Sequence, residues 1–166
     1  MPMIVAPGDG PLRESIVGLA QRHNLGSVFV SPGIVEHGQV MDWLRAADAA
    51  LLASRREPFG IAAAEAMALG IPTILTRVDG FLEIVGDSDS ALIVDPDDPE
   101  GLATALHRMQ SDPALRSVMA ARGAVRVREE FDIAVCADRW ASILRRAATG
   151  LSGSTVGPLL PNDPYG

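Results

Sequence analysis

The chain has 166 residues, of which 48% are hydrophobic and 4% aromatic, and its formal net charge is −7. This length predicts one domain with a sizeable core. All 14 basic residues are arginines, so the acidic, lysine-free surface argues against broad nucleic-acid binding, which needs a basic face.

The sequence also argues against a membrane span, a disulfide and a metal site. No apolar run reaches the roughly 18 residues of a span, and no export signal begins at Met1; we therefore expect no transmembrane segment and a cytoplasmic protein. Cys136 is the single cysteine, and its apolar helical surroundings predict a small core residue. The aspartates at 95–98 are flanked by prolines, which favours a turn with helix N-caps over a metal site. We expect no metal and no cofactor.

Short apolar strands alternate with helices along residues 1–148. Strands are predicted at residues 3–6, 28–30, 48–53, 73–75 and 91–94, and those at 3–6, 48–53 and 73–75 are expected to be buried. Helices are predicted at 12–23, 36–47, 100–110, 113–130 and 132–148, with a short alanine-rich helix that ends at Gly70. This order implies an α/β fold, a Rossmann-like parallel sheet sandwiched by helices. Residues 149–166 are rich in Gly, Ser and Pro and predict a flexible tail.

Two glycines follow the first predicted strand. Gly8 and Gly10 invite a dinucleotide-binding interpretation, and with it a dehydrogenase that binds NAD. However, Arg13 stands where the third glycine of that motif belongs, and the strand at 28–30 is followed by Ser31 rather than an acidic residue. The NAD motif is therefore a poor match.

The stretch from Ser54 to Gly70 carries the strongest functional signal. It follows a predicted buried strand, and two carboxylates, Glu57 and Glu65, stand with seven residues between them. Unpaired amides at a helix N-terminus attract phosphate, and Gly60 lets a ligand approach the backbone closely. Glu65 lies about four residues, or roughly 6 Å, into the helix. That distance is close to the separation between a diphosphate and the ribose of the same nucleotide.

This pattern predicts a site for a nucleotide diphosphate that carries a sugar. An ionised carboxylate accepts hydrogen bonds, and a vicinal diol donates two, so Glu65 suits the ribose and Glu57 suits hydroxyls of the sugar. Taken singly, Glu65 fits a solvated helix surface and Glu57 fits a turn before Pro58. Together, after a buried strand, the two favour a binding site.

The sequence SRREPFGIAAAEAMALGIPT at residues 54–73 resembles the donor-site signature of retaining glycosyltransferases of the GT-B fold. This family includes bacterial mannosyl- and glucosyltransferases and sucrose and glycogen synthases. The resemblance extends over about residues 4–146 and implies the C-terminal domain, which binds a UDP- or GDP-type sugar donor for retaining hexosyl transfer. It assigns Glu57 to the sugar as the catalytic residue and Glu65 to the ribose. It assigns the backbone amides of Phe59, Gly60 and Ile61 to phosphate or sugar.

The resemblance implies further binding residues outside that stretch. Gly8 and Gly10 match the family's glycine turn after a strand. Ile34 and Val35 follow its loop glycine and would pack near the nucleobase, with ordinary loop anchors as the alternative. His37 stands close by and is interpreted as a capping or surface histidine.

The chain departs from the family in three ways. The family's opening strand–helix unit, which supplies an Arg and a Lys to the diphosphate and a central strand to the sheet, has no counterpart here, and neither has its acceptor-binding domain. Arg55 or Arg56 is a candidate to replace the phosphate cations, with a surface role as the alternative. Asp79 precedes Gly80 where relatives carry two glycines, which adds a carboxylate near the sugar pocket.

These departures leave three interpretations of the chain: a fragment, a subunit completed by another chain, or a reworked domain. The expected partners are a nucleotide-sugar donor, an acceptor that the sequence does not identify, and an N-terminal acceptor-binding domain or a second chain. The alternative function is a non-catalytic nucleotide-sugar-binding or partner-dependent subunit.

Overall fold

The computed structural model describes residues 3–86 and 88–148, which form five strands and seven helices. The predicted tail at 149–166 lies outside the described residues. The strands are β1 (Ile4–Pro7), β2 (Phe29–Gly33), β3 (Ala50–Leu52), β4 (Thr73–Thr76) and β5 (Ala91–Val94). The helices are α1 (Arg13–Arg22), α2 (His37–Ala46), α3 (Ile61–Ala68), α4 (Asp79–Val85), α5 (Pro99–Ser111), α6 (Pro113–Glu130) and α7 (Ile133–Ala148).

The strands pair in parallel, as the alternation of strands and helices predicts. β1 pairs with β2, and β4 lies between β3 and β5 in a separate three-stranded sheet. The described strands therefore form two parallel sheets. Among these strands, β4 has a partner on both sides, and the other four each have a partner on one side only.

This pairing corrects the prediction that the runs at 3–6 and 48–53 are buried strands. Ile4 in β1 is 45% exposed and Leu51 in β3 is 40% exposed, whereas all four residues of β4 are buried. A strand with one partner leaves backbone and side chains of its free edge open to solvent. An apolar run alone does not distinguish an edge strand from a central one.

β2 extends to Gly33, three residues beyond its predicted end, and includes Pro32. Arg13 fixes this extension, because its Nη2 donates to the Ser31 carbonyl at 2.7 Å and its Nε to the Ser31 hydroxyl at 3.3 Å. Pro32 lacks an amide hydrogen, which an edge strand tolerates. The arginine that breaks the NAD motif thus ties the start of α1 to the end of β2.

The core lies around β4. Ile74 packs with Met109 of α5 and Met119 of α6, whereas its neighbour Leu75 packs with Phe81 of α4. Successive strand residues point to opposite faces of a sheet, so helices cover the β3–β4–β5 sheet on both faces. This confirms the predicted helix–sheet–helix layering.

Two threonines of β4 give a matched pair of stability predictions. Within the part of the chain that the structure describes, the buried hydroxyl of Thr73 has no hydrogen-bond partner, whereas the Thr76 hydroxyl donates to the Ser54 carbonyl at 2.5 Å. Thr73→Val removes an unsatisfied buried group and is expected to raise the free energy of unfolding by about 1 kcal/mol. Thr76→Val leaves a carbonyl unpaired and is expected to lower it by about 1–2 kcal/mol. Urea unfolding of both variants checks this, and equal effects of the same sign would contradict it.

The last helix, α7, carries an apolar face that the described residues leave open. Trp140 is 65% and Leu144 63% exposed, and Ile133 at the start of the helix is 84% exposed. Cys136 is partly exposed, which corrects its prediction as a core residue. Within residues 3–86 and 88–148, no helix has the length and apolar character needed to cross a membrane.

Ion pairs at the junction of α6 and α7 predict a pH dependence of stability. Glu130 accepts from Arg139 Nη2 at 2.6 Å, and Arg126 Nη1 lies 3.8 Å from its other oxygen. The hydrogen bond from Arg139, aided by both guanidinium charges, lowers the pKa of Glu130 below its ordinary value of 4.5 although burial opposes this. A lowered folded-state pKa stabilises the protein above the unfolded pKa, and this stability is lost as pH falls through the folded value.

We therefore expect the wild-type free energy of unfolding to fall more than that of Glu130→Gln between about pH 5 and pH 3. The difference is expected to be small, because the Glu130 side chain is 36% exposed and water screens the pair. Urea unfolding at the two pH values measures it. Parallel losses in the two proteins would contradict the assigned ion pairs.

Candidate functional site

The loop after β3 forms a tight turn that starts α3. Gly60 is the residue before the helix and has a φ of +77°, a left-handed conformation that favours glycine. From this turn, α3 buries Ala63, Ala66 and Met67 and directs Ile61 outward, 65% exposed. The predicted alanine-rich helix is thus observed, with its N-terminus at the predicted site.

The Glu57 carboxylate lies on the amides of this turn. Its Oε1 accepts from the N–H of Phe59 at 3.3 Å and from the N–H of Gly60 at 3.0 Å. These amides are among the groups assigned to phosphate or sugar by the resemblance. Among the described residues, only one of the two carboxylate oxygens is engaged in a hydrogen bond, so the other is available to a ligand.

Gly80, the second residue of α4, is hydrogen-bonded to the same turn. Its N–H donates to the Glu57 carbonyl at 3.0 Å. A Cβ at Gly80 would overlap the Glu57 carbonyl oxygen and stand 2.8 Å from the Phe59 nitrogen. Only a glycine permits this close approach, so Gly80 sets the position of the Glu57 backbone. Sequence reasoning noted Gly80 but did not predict this contact.

Helix α6 packs against α3 and α4, the two helices that carry the site. Arg126 donates to the carbonyls of Glu83 and Ile84 at 3.2 Å each and so satisfies the C-terminal end of α4. Gly123 allows α6 to approach α3 closely, because a Cβ there would already lie 3.4 Å from the Met67 side chain. The turn with Glu57 is therefore supported by a packed three-helix frame.

A cleft of about 420 Å³ opens along α3 beside this turn. It is lined by Phe59, Ile61, Ala64, Glu65, Ala68, Glu83, Ile84, Val127 and Phe131. Three of the predicted site residues, Phe59, Ile61 and Glu65, thus share one cavity, and Glu57 is bonded to the backbone of one of them. The residues from α4 and α6 were not predicted, because helix spacing does not tell which helices meet.

A second cleft of about 390 Å³ lies at the carboxyl ends of β3, β4 and β5. Arg55 lines this cleft rather than the first, and its Nε lies 2.7 Å from Asp97 Oδ1. The pair ties the loop after β3 to the loop after β5. The predicted phosphate role of Arg55 would require it to leave Asp97.

The remaining predicted residues lie outside the linings of both clefts. The Gly8 N–H donates to the Gly33 carbonyl at 2.8 Å, and the Gly10 N–H donates to Asp9 Oδ1 at 2.7 Å. Ile34 is 82% exposed, and Val35 is half-buried. Their assigned roles stay predictions.

The sequence predicted only a capping or surface role for His37. His37, at the first turn of α2, places its Nε2 3.6 Å from Glu65 Oε1. Nothing in the local sequence signals this contact, because it joins two helices separated by β3. In the described ranges, no three His, Cys, Asp or Glu side chains come together as metal ligands would.

Comparisons with known proteins identify the family and the fold. The profile of the family described as "Glycosyl transferases group 1" matches residues 3–126. A glycogen synthase of Mycobacterium tuberculosis is 30% identical over 143 residues, which are 86% of this chain and 34% of that protein. The chain thus spans about a third of the length of this curated relative.

Solved structures have the same fold. A sucrose-phosphate synthase from Thermosynechococcus elongatus has a TM-score of 0.77 and 32% identity, over 89% of this chain and 38% of that one. HepE of Anabaena, solved in complex with UDP-glucose, has a TM-score of 0.77 at 20% identity, over 86% of this chain and 40% of that one. The second likeness concerns the fold alone.

Proposed function

Since the chain belongs to the glycosyl transferases group 1 family, we propose that it is the nucleotide-sugar-binding domain of a retaining glycosyltransferase. The enzyme would transfer a hexosyl group from a UDP- or GDP-type donor to an acceptor. The observation that carries this proposal is the shared cleft of Phe59, Ile61 and Glu65, next to the turn on which Glu57 lies. The cytoplasmic location expected from the sequence is part of the proposal.

Two properties of the cleft support such a donor, its volume and a carboxylate that suits the ribose. Its volume of about 420 Å³ is within the range of about 300–1,000 Å³ that ligand pockets occupy. The Glu65 side chain is 33% exposed and can accept hydrogen bonds from a ribose diol. HepE, which has the same fold, is solved with UDP-glucose, so this fold accommodates a donor of that class.

Glu57 would contact the sugar rather than the phosphates. One of its oxygens already occupies the amides of Phe59 and Gly60, and two anions at one helix terminus repel each other. The free oxygen is then the acceptor for sugar hydroxyls. Positioning of the sugar and stabilisation of the departing diphosphate would supply much of the rate.

The diphosphate would then need cations that the described part of the chain does not aim at the cleft. Arg55 is paired with Asp97, and Arg77 is paired with Asp95 at 2.8 Å. Arg56, the other candidate, is exposed and lies outside the linings of both clefts. This supports a contribution from polypeptide other than the described residues, such as the acceptor-binding domain or a second chain that the resemblance implies.

A partner-dependent subunit is the second candidate function, and the two-sheet arrangement favours it. Each of the two described sheets offers unpaired edges, and the central strand that the resemblance assigns to the family's opening unit would join them. Three apolar side chains of the segment around α1 are 48–65% exposed and would pack against the added strand: Leu12, Ile16 and Leu19. In this case the chain binds a nucleotide sugar but transfers it only in an assembly.

Calorimetric titration of the full chain with UDP, GDP, UDP-glucose, GDP-mannose and NAD tests the proposal. We expect binding of a uridine or guanosine ligand and no binding of NAD. NAD binding alone would favour a dehydrogenase, and a folded chain that binds none of these ligands would contradict the proposed function. Sugar transfer by the isolated chain would exclude the partner-dependent alternative.

A further inference from the structure

The approach of His37 to Glu65 brings a second functional group to the carboxylate that we assign to the ribose. His37 Nε2 lies 3.6 Å from Glu65 Oε1, with the His37 side chain 70% exposed and the Glu65 side chain 33% exposed. The two residues belong to α2 and α3, and Leu44 of α2 packs against the cluster that contains Ala50, Ala66 and Ile71. Leu44 therefore joins α2 to a cluster of which α3 is a part.

The start of α2 is fixed by its own hydrogen bonds. The Glu36 N–H donates to the Gln39 side chain at 3.2 Å, and the Gln39 N–H donates to the Glu36 carbonyl at 3.0 Å. Glu36 and Gln39 thus satisfy each other. The backbone of His37, which lies between these two residues, therefore has a defined position from which its side chain faces Glu65.

The distance between the two groups is informative. At 3.6 Å they are too far apart for a direct hydrogen bond, since such bonds between N–H and oxygen have lengths of about 2.7–3.2 Å. A hydroxyl oxygen about 2.8 Å from both atoms would complete a triangle with them. It would donate its hydrogen to Glu65 and accept the imidazole N–H, which is the inventory of one hydroxyl.

We propose that His37 and Glu65 together bind one hydroxyl of the ribose, so that His37 is a ribose-binding residue of the donor site. This inference rests on the proposed nucleotide-sugar function and adds a residue that selects a ribonucleotide over a deoxyribonucleotide. An exposed His–Glu pair without a ligand role has little effect on stability, because solvent screens such pairs. The proposal therefore makes a prediction about ligands that the surface-pair interpretation does not make.

Calorimetric titration of the full chain with UDP, 2′-deoxy-UDP and 3′-deoxy-UDP tests the proposal, with the guanosine series used instead if only GDP binds. For His37→Ala we expect about fivefold to tenfold weaker binding of UDP, the effect of one lost hydrogen bond. The deoxy analogue that lacks the shared hydroxyl is expected to bind equally to wild type and variant.

His107→Ala, an exposed histidine on α5, is the matched control and is expected to bind all three nucleotides as the wild type does. Equal weakening of all three nucleotides by His37→Ala would overturn the ribose contact, and so would unchanged UDP binding. A wild-type chain that binds neither UDP nor GDP overturns the proposed function itself, and that result is seen before any variant is made.

Discussion

Gly80→Ala is expected to weaken binding of a UDP- or GDP-sugar at least tenfold and to lower the free energy of unfolding by about 1–3 kcal/mol. The added Cβ would overlap the Glu57 carbonyl oxygen and crowd the Phe59 nitrogen, and both are backbone atoms that cannot rotate away. The turn that presents Glu57 and the Gly60 amide must then move. Calorimetric titration and urea unfolding measure the two effects.

Gly38→Ala on α2 is the matched control for this variant. A Cβ at Gly38 meets no atom within 4 Å, and alanine is a better helix former than glycine by about 1 kcal/mol. This control is expected to bind ligand as the wild type does and to be no less stable. If Gly80→Ala binds a nucleotide sugar as tightly as Gly38→Ala does, the Glu57 turn is not part of the donor site.

Glu57→Gln is expected to change the affinities for a nucleotide and for its sugar conjugate in opposite directions. Glutamine keeps an oxygen for the amides of Phe59 and Gly60, so the turn is retained. Loss of a negative charge near a helix N-terminus, which affects binding by about 0.3–1 kcal/mol, is expected to tighten UDP about twofold to fivefold. The additional affinity given by the sugar is expected to fall about tenfold, because hydrogen bonds to charged groups are the stronger ones.

The ratio of the dissociation constants of UDP and UDP-glucose measures the sugar's contribution in each protein. Glu100→Gln removes a carboxylate from the first turn of α5 and is the matched control, because it changes the same charge at a different helix. An equal change in the affinities for UDP and UDP-glucose on Glu57→Gln would show that Glu57 acts on the phosphates rather than the sugar.

Features that depend on local sequence were predicted well. The bounds of β5 and α6 agree with the prediction, and the turn at Gly60 starts a helix as expected. Helix α6 has a proline in its first turn and Asp112 as its cap, and α3 follows a glycine whose φ is positive. Each of these features is visible in the local sequence. Glu65 was also expected at the cleft, because its place in the helix follows from the helix start.

Features that depend on contacts between distant segments were not predicted. Val127 and Phe131 line the cleft, and His37 reaches Glu65, only because particular helices pack against one another. The separation of β1–β2 from β3–β4–β5 has no signal in the strands themselves, because strand pairing is not encoded in the apolar character of one run, but it agrees with the absence of the family's central strand. A single sequence gives the elements but not their neighbours.

The edges of β1 and β3 that have no described strand partner affect how prone the protein is to aggregation and degradation in the cell. Such edges are templates on which other chains can add strands, so an uncovered copy is prone to aggregation and to recognition by chaperones and proteases. Any polypeptide that covers them would protect the chain from turnover as well as complete the sheet. The abundance of the protein would then follow the supply of that polypeptide, whatever the rate of its own synthesis.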